Sequence, residues 1–89
     1  MKVIFKKSFI KDLKNNSKNK KLLSQIKSVI EEIEDAQNIN ELKNLKKLKA
    51  EGSYYRIRVG NYRIGLIIKN NIITFVRLLH RKDIYRFFP

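Results

Sequence analysis

The stretch Ser53–Leu79, SYYRIRVGNYRIGLIIKNNIITFVRLL, decides the fold of this chain. Much of it alternates between apolar and polar residues, as half-buried β-strands do. Two dipeptides interrupt it, Gly60-Asn61 and Asn70-Asn71, and both tolerate the positive φ that tight hairpin turns require. The stretch therefore predicts an antiparallel meander of three strands at about 53–59, 62–69 and 72–79.

A two-residue loop at Gly60-Asn61 fixes which residues of the first two strands face each other. Arg58 then lies opposite Arg63, and directly opposed residues share one face of the sheet. One face is apolar and suited to pack on helices; it carries Tyr55, Ile57, Val59, Tyr62, Ile64, Leu66 and Ile68. The other, the arginine face, carries Tyr54, Arg56, Arg58, Arg63, Gly65 and Lys69. Because opposed like charges destabilise a sheet by up to ~1 kcal/mol, the Arg58–Arg63 pair indicates that this face binds an anion.

A second two-residue loop, at Asn70-Asn71, extends the register into the third strand. It sets Lys69 opposite Ile72 and Arg63 opposite Leu78. It also places His80 on the arginine face at the end of the sheet. We therefore expect one concave surface, which gathers Arg56, Arg58, Arg63, His80, Arg81 and Tyr85. The same register sends Arg77 to the apolar face, which requires a bulge or an edge position.

Upstream of the meander, the sequence predicts a short strand at 2–5 and two helices. Ser8 is suited to cap a first helix that ends near Asn15-Asn16, and a second helix begins between Ser17 and Asn19. Its apolar residues recur every three or four positions: Leu22, Leu23, Ile26, Val29, Ile30 and Ile33. Residues 40–50 are ambiguous and predict a helical turn that leads into a strand. The predicted class is α+β, an N-terminal strand and a helical hairpin packed on an antiparallel sheet with a C-terminal meander, and residues 1–89 form a single domain.

The composition narrows the classes of partner and site. The 89 residues include 21 Lys+Arg and 8 Asp+Glu, a formal net charge of +13, which predicts nucleic acid first and a membrane surface or an acidic protein second. The absence of Cys excludes disulfides and thiol chemistry, and one His with few carboxylates disfavours a zinc or calcium site. We expect no cofactor. Without a secretion signal or an apolar run near the ~18–20 residues that span a bilayer, we expect a cytoplasmic protein with no membrane partner.

Lysine and arginine are distributed differently along the chain. All six arginines lie after residue 55, whereas thirteen of the fifteen lysines precede residue 50. Arginine's planar fork suits fixed phosphate contacts, while lysine is a solvated point charge. We expect Lys46, Lys47 and Lys49 to attract and bind RNA from a solvated surface. The other interpretation of the same residues is structural: a solvated arginine face, a packing His80, and an aromatic tail that fixes itself to the sheet through Tyr85 and Phe87-Phe88.

Two motifs resemble the RelE/ParE superfamily of bacterial toxin-antitoxin toxins. They are Tyr55–Ile64, YRIRVGNYRI, and Val76–Arg86, VRLLHRKDIYR, and the resemblance covers essentially the whole chain. It implies a RelE-like endoribonuclease that cuts mRNA in the ribosomal A site, beside ribosomal RNA, and forms a hetero-oligomer with an acidic or amphipathic antitoxin. By position it implies site roles for Arg56, Arg58, Arg63, His80, Arg81 and Tyr85. Leu79 stands where the family often has glycine. Some relatives use a glutamate as base, but Glu51 is interpreted here as a turn residue.

Metal-free RNA cleavage needs an activated 2′-OH, stabilisation of charge on phosphorus, and a proton for the departing 5′-oxygen. We expect Arg58, Arg63 and Arg81 to hold the scissile phosphate and Arg56 to hold its neighbour. His80 would transfer a proton as acid or base. Tyr85 would stack on a base, or act as the base if the arginines favour its ionised form. Two alternatives remain open: a ParE-like DNA gyrase inhibitor that cleaves nothing, and a non-catalytic RNA-binding module.

Overall fold

The computed structural model describes residues 1–49 and 52–89. In chain order its elements are β1 (Lys2–Phe5), α1 (Lys7–Asn15), α2 (Lys20–Asp35), a short 3-10 helix (Ile39–Glu41), β2 (Leu45–Lys47), β3 (Tyr54–Val59), β4 (Tyr62–Lys69), β5 (Ile72–His80) and α3 (Ile84–Phe87). The predicted α+β class and the C-terminal meander are confirmed. The interpretation of Glu51 as a turn residue lies outside the described residues. In the described ranges, no helix combines the length and apolar character needed to cross a membrane.

The five strands form one sheet in the order β1-β5-β4-β3-β2. The meander β3-β4-β5 is antiparallel, and β2 adds antiparallel to β3. β1 pairs parallel with β5, so the sheet is mixed rather than wholly antiparallel. The reason is the route of the chain: the two helices carry it from one edge of the sheet to the other, and no hairpin joins β1 to its neighbour.

The hairpin turns adopt the predicted left-handed backbone. Gly60 has a φ of 58°, and Asn70 and Asn71 have φ of 53° and 64°. Glycine and asparagine enter this region at the lowest steric cost, so these residues close tight turns where other side chains would be strained. The predicted pairs Arg58–Arg63 and Lys69–Ile72 are present.

Both helices pack on the predicted apolar face of the sheet. Ile57, Val59, Ile64 and Leu66 are buried there, and Tyr55, Tyr62 and Ile68 pack partly against them. The helices contribute Phe9, Leu22, Ile26 and Ile33 to the same core. The start of α2 is fixed by Asn19, whose side chain accepts a hydrogen bond from the Leu22 amide at 3.1 Å, as expected of a helix cap.

A β-bulge in β5 changes the register of the second hairpin. Leu66 lies opposite Phe75, but Gly65 lies opposite Arg77. Val76 is therefore an extra residue of β5 that has no partner in β4. Arg63 therefore lies opposite Leu79, and the prediction of Leu78 is wrong. The predicted position of Arg77 required either a bulge or an edge position, and the structure has the bulge.

The first helix holds the bulged segment in place. Asp12, 8% exposed, accepts hydrogen bonds from Arg77 Nε at 2.8 Å and from the Leu78 amide at 2.9 Å. Ser8 Oγ donates to the Val76 carbonyl oxygen. The prediction that Ser8 caps α1 is wrong, because α1 begins at Lys7 and the Ser8 hydroxyl bonds to the sheet instead of the helix.

Candidate active site

Arg63 lies at the centre of a group of basic side chains. Burial lowers its pKa, and the neighbouring charges of Arg56 and Arg58 lower it further. Arg81 also lowers the pKa of Arg63, whereas Tyr85 raises it. Effects of this kind fall off steeply with distance. The structure therefore brings together five of the six predicted site residues; these form the arginine cluster, Arg56, Arg58, Arg63, Arg81 and Tyr85.

The β3–β4 hairpin and the end of β5 position this cluster. Arg58 lies directly opposite Arg63, as predicted, and Arg56 lies opposite Gly65 on the same face. The Arg81 amide donates to the carbonyl oxygen of Asn61 at 2.8 Å, which ties the end of β5 to the β3–β4 turn. Residues distant along the chain thus meet at one corner of the sheet.

Backbone carbonyls orient two of the guanidinium groups. Nη1 of Arg63 donates to the carbonyl oxygens of Gly60 and Tyr62, both at 2.9 Å. Nη1 of Arg56 donates to the carbonyl oxygen of Asn44 at 3.1 Å. A guanidinium group carries five N–H donors, so each arginine keeps donors for a ligand while its orientation is fixed.

Asn44 supports the site, although no motif in the sequence marks it. Its φ is 61°, and its carbonyl oxygen accepts from both Arg56 Nη1 and, at 3.3 Å, the Arg58 amide. The available signal was local: asparagine tolerates the left-handed region, and here it precedes a strand. The partner of that carbonyl could not be read from the sequence, because Asn44 precedes β2 and Arg56 lies within β3, twelve residues further along the chain.

The positive charge of the cluster is not neutralised by acidic side chains in the described part of the chain. The ion pair formed there joins Arg77 to Asp12, and no carboxylate forms a salt bridge with Arg56, Arg58, Arg63 or Arg81. Nor do the described residues include three His, Asp or Glu side chains gathered as a metal-binding set. Concentrated, unpaired cations attract anions, and planar donors aimed at one region suit phosphate oxygens.

His80 lies outside the arginine cluster, so its predicted place on the arginine face is wrong. It is opposite Tyr62, whose side chain packs against the core, and the two rings meet edge to face with centroids 5.4 Å apart. Its Nδ1 accepts a hydrogen bond from the Lys82 amide at 3.2 Å. The physical reason is the extra residue at the bulge, since a shift of one residue moves a side chain to the other face.

The three lysines predicted to bind RNA separate in the structure. Lys46 lies opposite Arg56 and shares the arginine face, whereas Lys47 lies opposite Tyr55 on the apolar face. Lys49 is exposed and follows the end of β2. Of the three, Lys46 is the one whose strand register aligns it with the arginine cluster.

Comparison with known proteins identifies the family. Residues 3–85 match the family described as ParE toxin of type II toxin-antitoxin system, parDE. Over 90 residues the chain is 49% identical to Toxin RelE3 of Methanocaldococcus jannaschii, and the match covers 100% of both chains. A match of this extent is not confined to the two motifs.

Solved structures show the same fold. The chain superposes on the RelB-RelE antitoxin-toxin complex from Methanococcus jannaschii with a TM-score of 0.77 and 46% identity, covering 97% of this chain and 99% of that one. The E. coli DinJ-YafQ complex gives a TM-score of 0.74 at 14% identity, covering 93% and 96%. The Staphylococcus aureus YoeB dimer gives a TM-score of 0.70 at 19% identity, covering 90% of this chain and 95% of that one. At these low identities, the YafQ and YoeB structures show the fold alone. The chain belongs to the RelE/ParE superfamily and is a RelE-like toxin of a type II toxin-antitoxin system.

Proposed function

We propose that this toxin is a metal-independent endoribonuclease that cuts mRNA in the ribosomal A site and so blocks translation in the cytoplasm. One observation carries the proposal: Arg56, Arg58 and Arg63 share one face of the β3–β4 hairpin, whose turn holds the Arg81 backbone, and no described carboxylate forms a salt bridge with these arginines. An RNA phosphodiester would relieve the repulsion within the cluster. The same donors would then stabilise the additional negative charge that develops on phosphorus during cleavage.

The cleavage step is a transfer of the phosphoryl group to a neighbouring hydroxyl. The 2′-oxygen forms a bond to phosphorus and loses its proton, and the bond from phosphorus to the 5′-oxygen breaks. The products are a 2′,3′-cyclic phosphate and a free 5′-hydroxyl. In this step Arg58, Arg63 and Arg81 would hold the non-bridging oxygens, since guanidinium groups keep their charge and present parallel donors.

We assign the proton transfer to Tyr85 rather than to His80. Tyr85 is 68% exposed and belongs to the arginine cluster, and its phenol oxygen can both accept and donate a proton. It would take the proton of the 2′-OH and return it to the departing 5′-oxygen. His80 packs against Tyr62 outside the cluster.

The flanking RNA would follow the arginine face. Arg56 and Lys46 lie opposite each other on β3 and β2, so they can hold the phosphates beside the scissile one. Lys47 and Lys49 would contribute a general attraction to ribosomal RNA and mRNA, which depends on charge and not on a fixed contact.

The proposed partner is an acidic or amphipathic antitoxin that covers the arginine cluster in a toxin-antitoxin hetero-oligomer. Two observations support it: the net charge of +13, and the 46% identity with a chain of the RelB-RelE antitoxin-toxin complex of M. jannaschii. Carboxylates of the antitoxin would replace the RNA phosphates as ligands of the guanidinium groups.

A second candidate is a ParE-like inhibitor of DNA gyrase without nuclease activity. The observation that favours it is the match of residues 3–85 to the family described as ParE toxin. It would leave the unpaired charge of Arg58 and Arg63 without a chemical role, which is why we place it second. A non-catalytic RNA-binding module is the third.

A reconstituted translation reaction tests the first proposal. Ribosomes with a defined mRNA are treated with the toxin, and primer extension locates cuts; we expect cutting only when ribosomes are present. Arg63→Ala and Arg81→Ala should each reduce the cutting rate about 100-fold or more. Arg86→Ala is the matched control, since this exposed arginine lies outside the cluster.

A supercoiling reaction with purified gyrase separates the second candidate. Intact mRNA together with inhibited supercoiling would replace the nuclease by the gyrase inhibitor. Tight, salt-dependent RNA binding with neither effect would favour the third candidate.

A further inference from the structure

The ring of Phe88 lies on the backbone of Gly65, in the middle of the arginine face. Phe88 is 3% exposed, and its ring also meets Tyr54 edge to face, with centroids 5.7 Å apart. A Cβ atom at position 65 would lie 2.7 to 2.9 Å from three carbons of the ring. Carbon atoms attract each other at about 3.5–4.0 Å and repel at this shorter distance. The Phe88 ring therefore requires glycine at position 65.

This contact is adjacent to the arginine cluster. Gly65 follows Arg63 by two residues on β4, so both face the same side of the sheet, about 7 Å apart along the strand. The slot that receives Phe88 thus lies on the same face of β4 as Arg63, two residues further along the strand.

The backbone of α3 joins Phe88 to Tyr85. The Phe88 amide donates to the Ile84 carbonyl oxygen at 2.9 Å, and the Ile84 side chain is 0% exposed. Ile84 and Phe88 are therefore two buried anchors, one helical turn apart, and exposed Tyr85 lies between them. A helix of four residues is too short to be stable by its own hydrogen bonds, so these anchors determine where α3 lies.

We infer that Gly65 and Phe88 form a clamp that positions the Tyr85 hydroxyl at the arginine cluster. Phe88 is a positioning residue: it touches the sheet and not the RNA, and it acts through Tyr85. The inference rests on the proposed function for the role of Tyr85 in cleavage, but the clamp itself is a property of the toxin alone. A purely structural Phe88 would stabilise the fold without any specific coupling to Tyr85.

The first experiment measures the order of the tail in the purified toxin by 15N relaxation. In the wild type, the order parameter of the Tyr85 amide should be near 0.85, as in rigid backbone. Gly65→Ala and Phe88→Ala should each lower it below about 0.6. Phe87→Ala is the matched control, because Phe87 is 53% exposed and should leave Tyr85 ordered. An ordered Tyr85 in both Gly65→Ala and Phe88→Ala would overturn the clamp.

The second experiment measures ribosome-dependent cutting. Both clamp variants should lower kcat by about 10- to 100-fold, with a much smaller change in KM, because misplacing a reacting group slows the chemical step. In a Tyr85→Phe background, Phe88→Ala should add less than about twofold. An equal, additive loss with and without the Tyr85 hydroxyl would show that Phe88 has only a structural role. If Gly65→Ala does not fold, Phe88→Leu replaces it, and its Tyr85 disorder and loss of kcat should fall between wild type and Phe88→Ala.

The two experiments distinguish failure of the clamp from failure of the proposed nuclease activity. A wild-type toxin that cuts no mRNA would refute the proposed nuclease, and the relaxation measurement would still decide whether the clamp orders Tyr85. A toxin that cuts mRNA normally in the Phe88→Ala variant would refute the clamp and leave the nuclease standing.

Discussion

Arg58 and Arg63 face each other across two neighbouring antiparallel strands, and no carboxylate in residues 1–49 and 52–89 forms a salt bridge with either. Such a pair costs the folded state up to ~1 kcal/mol. The pKa of Arg63 is lowered by its burial and by this and other arginines, which reports the same repulsion. Because the cost is absent once an anion binds between the two groups, stability and ligand binding are opposed at this position.

Neutralising Arg58 should therefore stabilise the free toxin while it impairs function. We expect Arg58→Gln to raise the free energy of unfolding by about 0.2–1 kcal/mol at low salt. The gain should shrink in 1 M salt, where the Debye length is ~3 Å. Urea unfolding at both salt concentrations measures it, with Arg86→Gln as the control outside the cluster. A loss of stability at low salt would contradict the repulsion between Arg58 and Arg63.

Two adjacent lysines should behave differently towards RNA. Lys46 shares the arginine face and Lys47 the opposite one. We expect Lys46→Ala to weaken the binding of a short single-stranded RNA and to reduce its log–log salt slope by about 0.7, the value for one phosphate contact. Lys47→Ala should reduce the slope much less, because Lys47 contributes a general attraction and no fixed phosphate contact. Fluorescence anisotropy over a salt series checks this, and equal effects of the two substitutions would refute a register-specific contact.

Removing one hydroxyl should affect cutting more than removing an imidazole. We expect Tyr85→Phe to slow ribosome-dependent cutting by about 10²- to 10⁴-fold, the range for a group that transfers a proton. His80→Ala should have a smaller effect, because the bulge places His80 against Tyr62. Single-turnover rates on ribosomes measure both. The opposite order would assign the proton transfer to His80.

The ion pair of Asp12 and Arg77 should make the largest single contribution to the packing of α1 against β5. Asp12→Ala leaves the Arg77 guanidinium and the buried Leu78 amide without their acceptor. We expect a loss of about 2–3 kcal/mol in the free energy of unfolding. Lys11→Ala, at an exposed position of the same helix, should change it by less than about 0.5 kcal/mol. Urea unfolding midpoints compare the two variants, and similar losses in the free energy of unfolding would contradict a large contribution of the ion pair.

The elements that depend on near neighbours could be predicted from the sequence. The turn at Gly60-Asn61 sets the pairing of Arg58 with Arg63, because a two-residue hairpin leaves no freedom of register. The three- and four-residue spacing in Lys20–Asp35 predicts α2 and its buried stripe. The unequal distribution of arginine and lysine identified the end of the chain that carries the site.

The sequence by itself thus determined the meander, the helical hairpin, the arginine face and the family, since each depends on turn chemistry, on periodicity or on motifs of adjacent residues. Only the tertiary structure decided which face of the sheet His80 occupies, which side chain Arg77 pairs with and where the Phe88 ring lies. The extra residue at Val76 leaves no trace in an apolar strand, and it is held by Ser8 and Asp12 from a distant helix. The fit of Phe88 on Gly65 likewise depends on the shape of a surface formed by several strands. Such contacts join residues far apart in the chain, and no local pattern encodes them.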